Sequence, residues 1–197
     1  MQKRHRIFIA INLPSDIKRV LARQEQKFAD LPATWTPEEN LHITLVFLGN
    51  LTDIELGEVC VAAKEVAARH QSFEINLQHI GYGPDDKIPF DDTRGKPPKM
   101  LWAQGEKSKE LSALKTDLQN AFLEKINFTP DIKIFAPHVT LARIGVFAWR
   151  TINPEERPEV AQDIDMLFSV ESIDVMESEM KRGGPEYTVI ESINLNP

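Results

Sequence analysis

The tetrapeptide His-x-Thr-Leu occurs twice in this chain, at 42–45 and at 138–141. The chain has only 5 histidines, and composition alone would produce two copies with a probability of roughly two in ten thousand. Each copy lies in an apolar, β-branched segment, which predicts a strand whose side chains alternate between two faces. The His and the Thr of each copy then share one face. A polar pair on an apolar strand is unfavourable unless a site uses it, so we predict one site with two matched halves.

Composition limits the protein classes that remain. At 197 residues the chain is long enough for one domain of two small lobes. The net charge of −7 disfavours broad binding along a nucleic acid, but it allows a small nucleotide or a single RNA end held by a few local cations. Cys60 is the only cysteine, which excludes an internal disulfide or a cysteine-based zinc cage and fits a reducing cytosol. We therefore expect a cytoplasmic monomer that does not associate with membranes.

Hydrophobic periodicity and turn signals predict the order of helices and strands. The expected strands cover 6–12, 34–36, 41–48, 73–77, 100–103, 131–135, 138–146, 164–175 and 187–195, and the expected helices run from 14 to about 31, from 52 to about 70 and over 108–125. The apolar segment at the N-terminus is too short for a signal peptide, so it is interpreted as the first strand. Gly49-Asn50 is expected to end the first motif strand, and Gly183-Gly184-Pro185 to form the turn between the last two strands.

This order is a loose internal repeat of about 90 to 100 residues. It predicts an α+β protein in which residues 1–197 form a single bilobal, duplicated domain. We expect two antiparallel-rich sheets flanking a central cleft, with the helices outside.

The segment 83–99 is rich in Pro, Gly, Asp and Lys and has no apolar period, which predicts a long surface loop. Arg94, Lys96 and Lys99 could contact RNA phosphates there. A solvated loop is the alternative interpretation.

Two facing imidazoles can act as general base and general acid in one step, because the pKa of a histidine is ordinarily near 6.5. A phosphodiester is a natural target for such a pair. A threonine hydroxyl on the same face can donate to a non-bridging phosphate oxygen, where negative charge develops in the transition state.

With these motifs the chain resembles the 2H phosphoesterase superfamily, which is defined by paired His-x-Thr/Ser-x motifs. Within it, the chain is most similar to the LigT/ThpR-like RNA 2′,3′-cyclic phosphodiesterases, historically called 2′-5′ RNA ligases. The resemblance extends to further blocks in family order, at 6–11, 39–49, 101–102, 137–143 and 183–187.

The resemblance implies a bilobal duplicated fold and opening of a 2′,3′-cyclic phosphate to a 2′-phosphomonoester without a metal or other cofactor. It implies that His42 is the general acid toward the 3′ oxygen and that His138 is the base that activates water. Thr44 and Thr140 would bind the phosphate, and Arg143 would supply a positive charge to it. The expected partner is an RNA end or a small nucleotide with a cyclic phosphate.

The resemblance also implies that Phe47 stacks on the terminal base, but strand geometry conflicts with this role and with that of Arg143. Phe47 and Arg143 each lie five residues after a motif histidine, and a regular strand would place them on the opposite face. Either the strand bends or bulges after Leu141, or Arg143 serves elsewhere, for example in a surface ion pair. For Phe47 likewise, either the strand bends or bulges before it, or its side chain lies in the core.

Other functions stay open at this point. The chain could act on another cyclic or 2′-5′-linked nucleotide, or it could bind a nucleotide without turnover. No spacing of His, Cys or carboxylates predicts a metal site. The remaining histidines are expected to be structural or at the surface, and the three tryptophans to lie in the core or between the lobes: His5, His70, His79, Trp35, Trp102 and Trp149.

Overall fold

The computed structural model describes residues 3–83, 97–130, 135–182 and 184–197. Its strands are β1 (His5–Asn12), β2 (Ala33–Trp35), β3 (His42–Leu51), β4 (Phe73–Gly83), β5 (Met100–Gly105), β6 (His138–Ile144), β7 (Ala161–Val170), β8 (Ser172–Lys181) and β9 (Gly184–Asn194). Its helices are α1 (Ser15–Ala22), α2 (Gln24–Lys27), α3 (Asp53–Ala67), α4 (Lys109–Leu123) and α5 (Val146–Thr151), and short 3-10 turns cover Glu38–Asn40 and Pro154–Glu156.

The strands of the described residues form one sheet in the order β7-β4-β5-β6-β3-β1-β8-β9, and β2 also pairs with β6. These pairings are antiparallel. The motif strands β3 and β6 lie at the centre and pair at Ile43 and Val139. The predicted α+β class with a duplicated, antiparallel arrangement is confirmed. Two sheets were expected, but the structure has a single sheet. The short pairing between β3 and β6 joins the two expected sheets into one.

One face of the sheet carries the main core, and the other face carries the cleft. Ile7, Ile9 and Ile11 of β1 point into the main core, which also contains the apolar faces of α3 and α4. Phe8 and Ala10 point to the opposite face. The alternation along β1 therefore separates the residues that stabilise the fold from those that face the cleft.

The predicted helix starts are accurate where capping residues mark them. Thr52 caps α3, with its hydroxyl accepting from the Glu55 N–H while the Glu55 carboxylate accepts from the Thr52 N–H. Ser108 caps α4 with its hydroxyl, which accepts from the Leu111 N–H.

Several boundaries were predicted wrongly. Strand β4 continues past 77 to Gly83, β6 ends at Ile144 and is followed by α5 where the strand was expected to reach 146, and Gly184 is the first residue of β9 instead of part of the turn. The first helix is interrupted at Arg23, which separates α1 from α2. Gly49 does not end strand β3. It has a φ of +80° and lies next to a β-bulge, and the strand continues beyond it. The segment 164–175 is two strands that turn at Glu171, where no Gly or Pro signals the turn.

Some predictions fall on parts of the chain outside the described residues. These are most of the 83–99 loop with Arg94 and Lys96, the strand at 131–135 except Phe135, and Gly183. Lys99 is described; it is exposed, and its carbonyl accepts the Ile144 N–H at 3.0 Å. None of the described helices is long and apolar enough to span a membrane.

Candidate active site

The two His-x-Thr motifs meet at the centre of the sheet. Ile43 and Val139 are the middle residues of the motifs, and they are paired across β3 and β6 and fully buried. The histidines and threonines on either side of them face the opposite way, into a cavity of about 600 Å³. This volume lies within the usual range for small-molecule sites, roughly 300–1,000 Å³.

The cavity brings together all six residues singled out in the sequence. These are His42, Thr44, Phe47, His138, Thr140 and Arg143. The charged side chains among the described lining residues are Lys115 and Arg143, both cations, and no carboxylate lines the described wall. In a protein with a net charge of −7, this wall is suited to an anion.

A backbone carbonyl fixes the tautomer of His42. Its Nδ1 lies 2.7 Å from the carbonyl oxygen of Asn40, which can only accept, so Nδ1 carries the proton. Its Nε2 lies 3.0 Å from the Thr44 hydroxyl. In the neutral ring Nε2 accepts from this hydroxyl, and Nε2 is therefore the nitrogen available for proton transfer.

His138 is held in the same way. Its Nδ1 donates to the carbonyl of Ala136 at 3.0 Å. In both motifs the accepting carbonyl lies two residues before the histidine. The repeat therefore reproduces the tautomer as well as the residue type.

The surroundings of both histidines favour the neutral ring. Burial lowers the pKa of His42 below 6.5, and the positive charges of Lys18 and of protonated His138 lower it further. Burial likewise lowers the pKa of His138, and Lys115 adds to this effect. The two rings line the same cavity, and the charge of His138 is one of the causes that lower the pKa of His42.

Aromatic rings fix the planes of the imidazoles. Trp102 stacks on His138 with centroids 4.0 Å apart and an interplanar angle of 27°. His42 has Phe8 at 5.1 Å and the edge of Tyr187 at 5.1 Å. Trp102 was predicted to be a core or interface residue, and its contact with a motif histidine was not foreseen.

A bulge in each motif strand resolves the conflict over Phe47 and Arg143. Along β6, Trp102 pairs with Thr140 and Leu101 with Ala142, which leaves Leu141 as the extra residue. In β3, Leu45 is the extra residue, because Ile9 of β1 pairs with Val46 and Ala10 pairs with Thr44. The first seven residues of β3 and all seven of β6 consequently share one burial pattern, in which the sixth residue is exposed. An extra residue shifts the alternation by one, so Phe47 and Arg143 line the cavity.

Phe47 and Arg143 have different neighbours at these equivalent positions. The Phe47 side chain is 61% exposed and lies 5.6 Å from the Phe8 ring, so it is outside the core. The Arg143 guanidinium is exposed, with Nη1 4.0 Å from the Met100 sulfur.

A chain of hydrogen bonds supports the His42 side of the cavity. Lys18 Nζ donates to the carbonyl of Glu39 at 2.9 Å and to Asn12 Oδ1 at 3.2 Å. Asn12 Nδ2 donates to Asp174 at 2.6 Å. Because Glu39 and Asn40 belong to one 3-10 turn, Lys18 stabilises the turn whose carbonyl orients His42.

Comparison with known proteins matches residues 9–89 to the family model described as "LigT like Phosphoesterase". The RNA 2′,3′-cyclic phosphodiesterase of Geobacillus stearothermophilus is 30% identical over 98% of this chain, which spans 58% of that protein's length. The protein of the same name from Aquifex aeolicus is 28% identical over 96% of this chain and 97% of its own length. The chain is therefore similar to the LigT-like phosphoesterases. The resemblance found in the sequence, and with it the expectation of an enzyme, is confirmed.

Solved structures are also similar to this chain in fold. The protein TT0787 of Thermus thermophilus has a TM-score of 0.76 and 25% identity, and the match covers 96% of this chain and 97% of that one. E. coli LigT, solved in complex with 3′-AMP, also has a TM-score of 0.76, with 21% identity over 99% of this chain and 100% of its own.

Sequence reasoning missed several residues of the LigT-like site. Lys18 and Lys115 each come from the helix that precedes a motif strand, and a comparison of the two repeats could have found them. Trp102 and Tyr187 lie in sequence blocks that resemble the family, but nothing in the composition of these blocks pointed to the histidines.

The other histidines of the LigT-like chain are bound to carboxylates. His5 contacts Glu177 and Asp53, and the remaining two each contact one aspartate, His70 with Asp117 and His79 with Asp163. In the part of the chain that the structure describes, no three His, Cys, Asp or Glu side chains are grouped so that they could hold a metal ion.

Proposed function

We propose that this LigT-like phosphoesterase opens the 2′,3′-cyclic phosphate at an RNA end to a 2′-phosphomonoester, without a metal ion. The observation that carries the proposal is the cavity between the two motifs. Its lining combines two threonines, an arginine and two histidines whose Nδ1 protons are held by backbone carbonyls. No carboxylate is among the described lining residues. The relatives named RNA 2′,3′-cyclic phosphodiesterase support the choice of substrate.

The two histidines would divide the proton transfers. His138 Nε2 removes a proton from water as the water oxygen attacks phosphorus, and the bond between phosphorus and the 3′ oxygen breaks. His42 enters the reaction as the imidazolium, and its Nε2 donates a proton to the departing 3′ oxygen. Exchange with solvent then returns both rings to their starting protonation states.

Three side chains would stabilise the charge on phosphorus oxygens. The hydroxyls of Thr44 and Thr140 donate to non-bridging oxygens, and the guanidinium of Arg143 pairs with the negative charge. The Thr44 hydroxyl already lies 3.0 Å from His42 Nε2, so a substrate oxygen can replace this contact.

The terminal base would stack on Phe47. Its ring is mostly exposed and is supported from behind by Phe8, so a flat face is available without rearrangement of the core. Stacking of this kind tolerates different bases.

The test is turnover of adenosine 2′,3′-cyclic phosphate by the wild type, His42→Ala and His138→Ala in the presence of a chelator. We expect the wild type to form the 2′-monophosphate and each variant to lose about 10²- to 10⁴-fold in kcat. His79→Ala, which removes a half-buried histidine outside the cavity, is the matched control and should keep the wild-type rate. Full activity of both motif variants would refute the proposal, as would inactivation by the chelator. Calorimetric binding of the nucleotide with no product would favour a binding protein instead.

An activated substrate tests which histidine is the acid. Bis(p-nitrophenyl) phosphate has a leaving group that departs without a proton, so the acid becomes dispensable. His42→Ala should then keep much of the wild-type rate with this substrate, whereas His138→Ala should not. The reverse result would exchange the two roles.

A further inference from the structure

A buried carboxylate lies on the cleft face of the sheet, on the His42 side. Asp174 of β8 is 5% exposed, and no other aspartate or glutamate is buried among the residues that the structure describes. Asp174 pairs with Ala10 of β1, whose side chain points to the cleft face, and cross-strand partners share a face. Asp174 does not line the cavity. A buried charge is unfavourable unless its partners compensate it, so its contacts show what it does.

The first contact of Asp174 fixes the orientation of an amide. Asp174 Oδ2 accepts from Asn12 Nδ2 at 2.6 Å, and Asn12 Oδ1 accepts from Lys18 Nζ at 3.2 Å. A carboxylate only accepts and an ammonium only donates, so the Asn12 amide satisfies both neighbours in one orientation alone. Asp174 therefore ensures that Asn12 presents its oxygen to Lys18.

Lys18 connects this amide to the backbone that holds His42. Its Nζ also donates to the carbonyl of Glu39 at 2.9 Å. The next carbonyl along the chain, that of Asn40, accepts from His42 Nδ1 at 2.7 Å. Because the two carbonyls are one peptide apart in the same 3-10 turn, the place of Lys18 helps to set the place of the carbonyl that orients the imidazole.

The charge of Lys18 does not favour the acid form of His42. Burial lowers the pKa of His42, and the positive charge of Lys18 lowers it further. The acid of the proposed reaction must enter as an imidazolium, so this charge by itself opposes catalysis. What Lys18 contributes to the acid is the position of the turn, and that position depends on the partners that hold Lys18.

We propose that Asp174 and Asn12 are positioning residues for His42, because they hold Lys18 on the turn whose carbonyl aims the imidazole at the departing oxygen. Neither residue lines the cavity, so both act through His42 and not on the substrate. This inference rests on the proposed function, in which His42 is the acid. Its consequence is that Asp174 and Asn12 matter only when the leaving group needs a proton.

The experiment measures kcat and KM of Asp174→Ala with two substrates. With adenosine 2′,3′-cyclic phosphate we expect kcat to fall about ten- to a hundredfold at an unchanged KM, the size of effect that a misplaced catalytic group produces. With bis(p-nitrophenyl) phosphate, whose leaving group departs without a proton, the variant should keep the wild-type kcat. A loss of equal size with both substrates would show a general structural role and overturn the inference.

A double variant tests whether Asp174 acts through His42. In the His42→Ala background, Asp174→Ala should cause no further loss with the cyclic nucleotide, because the group that it positions is already absent. A further loss as large as in the wild-type background would mean that the two residues act independently, and it would overturn the inference.

Asp165→Ala is the matched control. Asp165 of β7 accepts from Asn76 Nδ2 of β4 at 2.8 Å, so the variant removes the same kind of bond between neighbouring strands at an exposed position outside the cavity. It should keep the wild-type kcat with both substrates, and a loss like that of Asp174→Ala would overturn the inference. Should Asp174→Ala fail to fold, as judged by circular dichroism, Asn12→Ala removes the same link from a half-buried position and should show the same dependence on the leaving group.

The possible failures can be told apart. Wild-type kcat with the cyclic nucleotide in both Asp174→Ala and Asn12→Ala would overturn the positioning role, while turnover by the wild type would still support the proposed function. Absence of turnover of the cyclic nucleotide by the wild type would overturn the proposed function and this inference with it.

Discussion

Phe47 and Arg143 occupy the same position in the two halves of the sheet. Each follows its motif histidine by five residues, and each reaches the cavity because a bulged leucine precedes it. Since β3 and β6 are antiparallel, the equivalent positions lie toward opposite ends of the cavity. The duplicated strands thus provide an aromatic ring at one end and a cation at the other. If Phe47 stacks on the base and Arg143 binds the phosphate, as proposed, the substrate can bind in only one orientation.

Loss of Arg143 should reduce catalysis strongly. We expect Arg143→Ala to lower kcat/KM about 10²- to 10³-fold, the range found when one donor to a developing negative charge is removed. Arg143→Lys should recover only part of this loss, because a lysine cannot make a bidentate contact. Steady-state kinetics on the cyclic nucleotide measure both variants. Activity of Arg143→Ala within threefold of the wild type would exclude a role at the phosphate.

Loss of Phe47 should weaken substrate binding more than it slows the chemical step. Base stacking on an aromatic side chain contributes about 1–3 kcal/mol, so Phe47→Ala should raise KM roughly ten- to a hundredfold with a smaller change in kcat. Phe47→Trp keeps a flat ring and is the control. Equal KM values for Phe47→Ala and the wild type would place the base elsewhere.

The sequence was sufficient to predict the centre of this site but not its periphery. The repeated motif predicted His42, Thr44 and their equivalents, because alternation along a strand needs only local information. The bulge at Leu141 was one of two options in the sequence, since nothing in the tetrapeptide distinguishes a regular strand from a bulged one. The structure resolves it through the pairing of β5 with β6.

Contacts that depend on distant strands could not be predicted in this way. Trp102 stacks on His138 because β5 lies beside β6, and a single sequence does not reveal that order. Lys18 and Lys115 looked like ordinary helix residues, because a helix pattern shows which face is apolar but not which distant segments its polar residues contact. Capping residues such as Thr52 are local signals, and the helix starts that they mark were predicted well.

Gly83 should be required for the position of Trp102. A Cβ at Gly83 would lie 2.3 Å from two indole carbons of Trp102, closer than atoms can approach. Gly83→Ala must therefore displace the ring that stacks on His138, at a cost of about 1–3 kcal/mol in stability. We expect a lower melting temperature and a lower kcat.

Gly57→Ala is the control for this prediction. No atom lies within 4 Å of a Cβ at Gly57, which is inside α3. Alanine is a better helix former than glycine by about 0.8–1 kcal/mol, so this variant should be more stable than the wild type. Wild-type stability and kcat in Gly83→Ala would show that Trp102 can move without consequence.

Lys18 should influence the pH dependence through His42. Removing a nearby positive charge stabilises the imidazolium, so Lys18→Met should raise the pKa of His42. If His42 is the acid, kcat/KM falls as pH rises through this pKa, and the fall should move to higher pH in the variant. Asp174, Glu38 and Glu39 also act on Lys18 and remain in place. Lys27→Met, at an exposed position of α2, is the charge-matched control, and an unmoved profile in Lys18→Met would refute the coupling.

The ion pairs of His5 should make folding stability depend on pH. Its Nδ1 lies 2.7 Å from Glu177 and its Nε2 lies 2.9 Å from Asp53, and these two hydrogen bonds raise the pKa of His5 above 6.5. A histidine whose pKa is raised by folding contributes stability that is fully present below pH 6.5 and is lost as pH rises through the folded-state pKa. The difference in melting temperature between the wild type and His5→Gln should therefore be larger at pH 5.5 than at pH 9. His79→Gln, with a single carboxylate contact at 3.5 Å, is the control and should show a smaller change. A wild-type advantage over His5→Gln that stays constant across this range would mean that the charged form of His5 does not stabilise the fold.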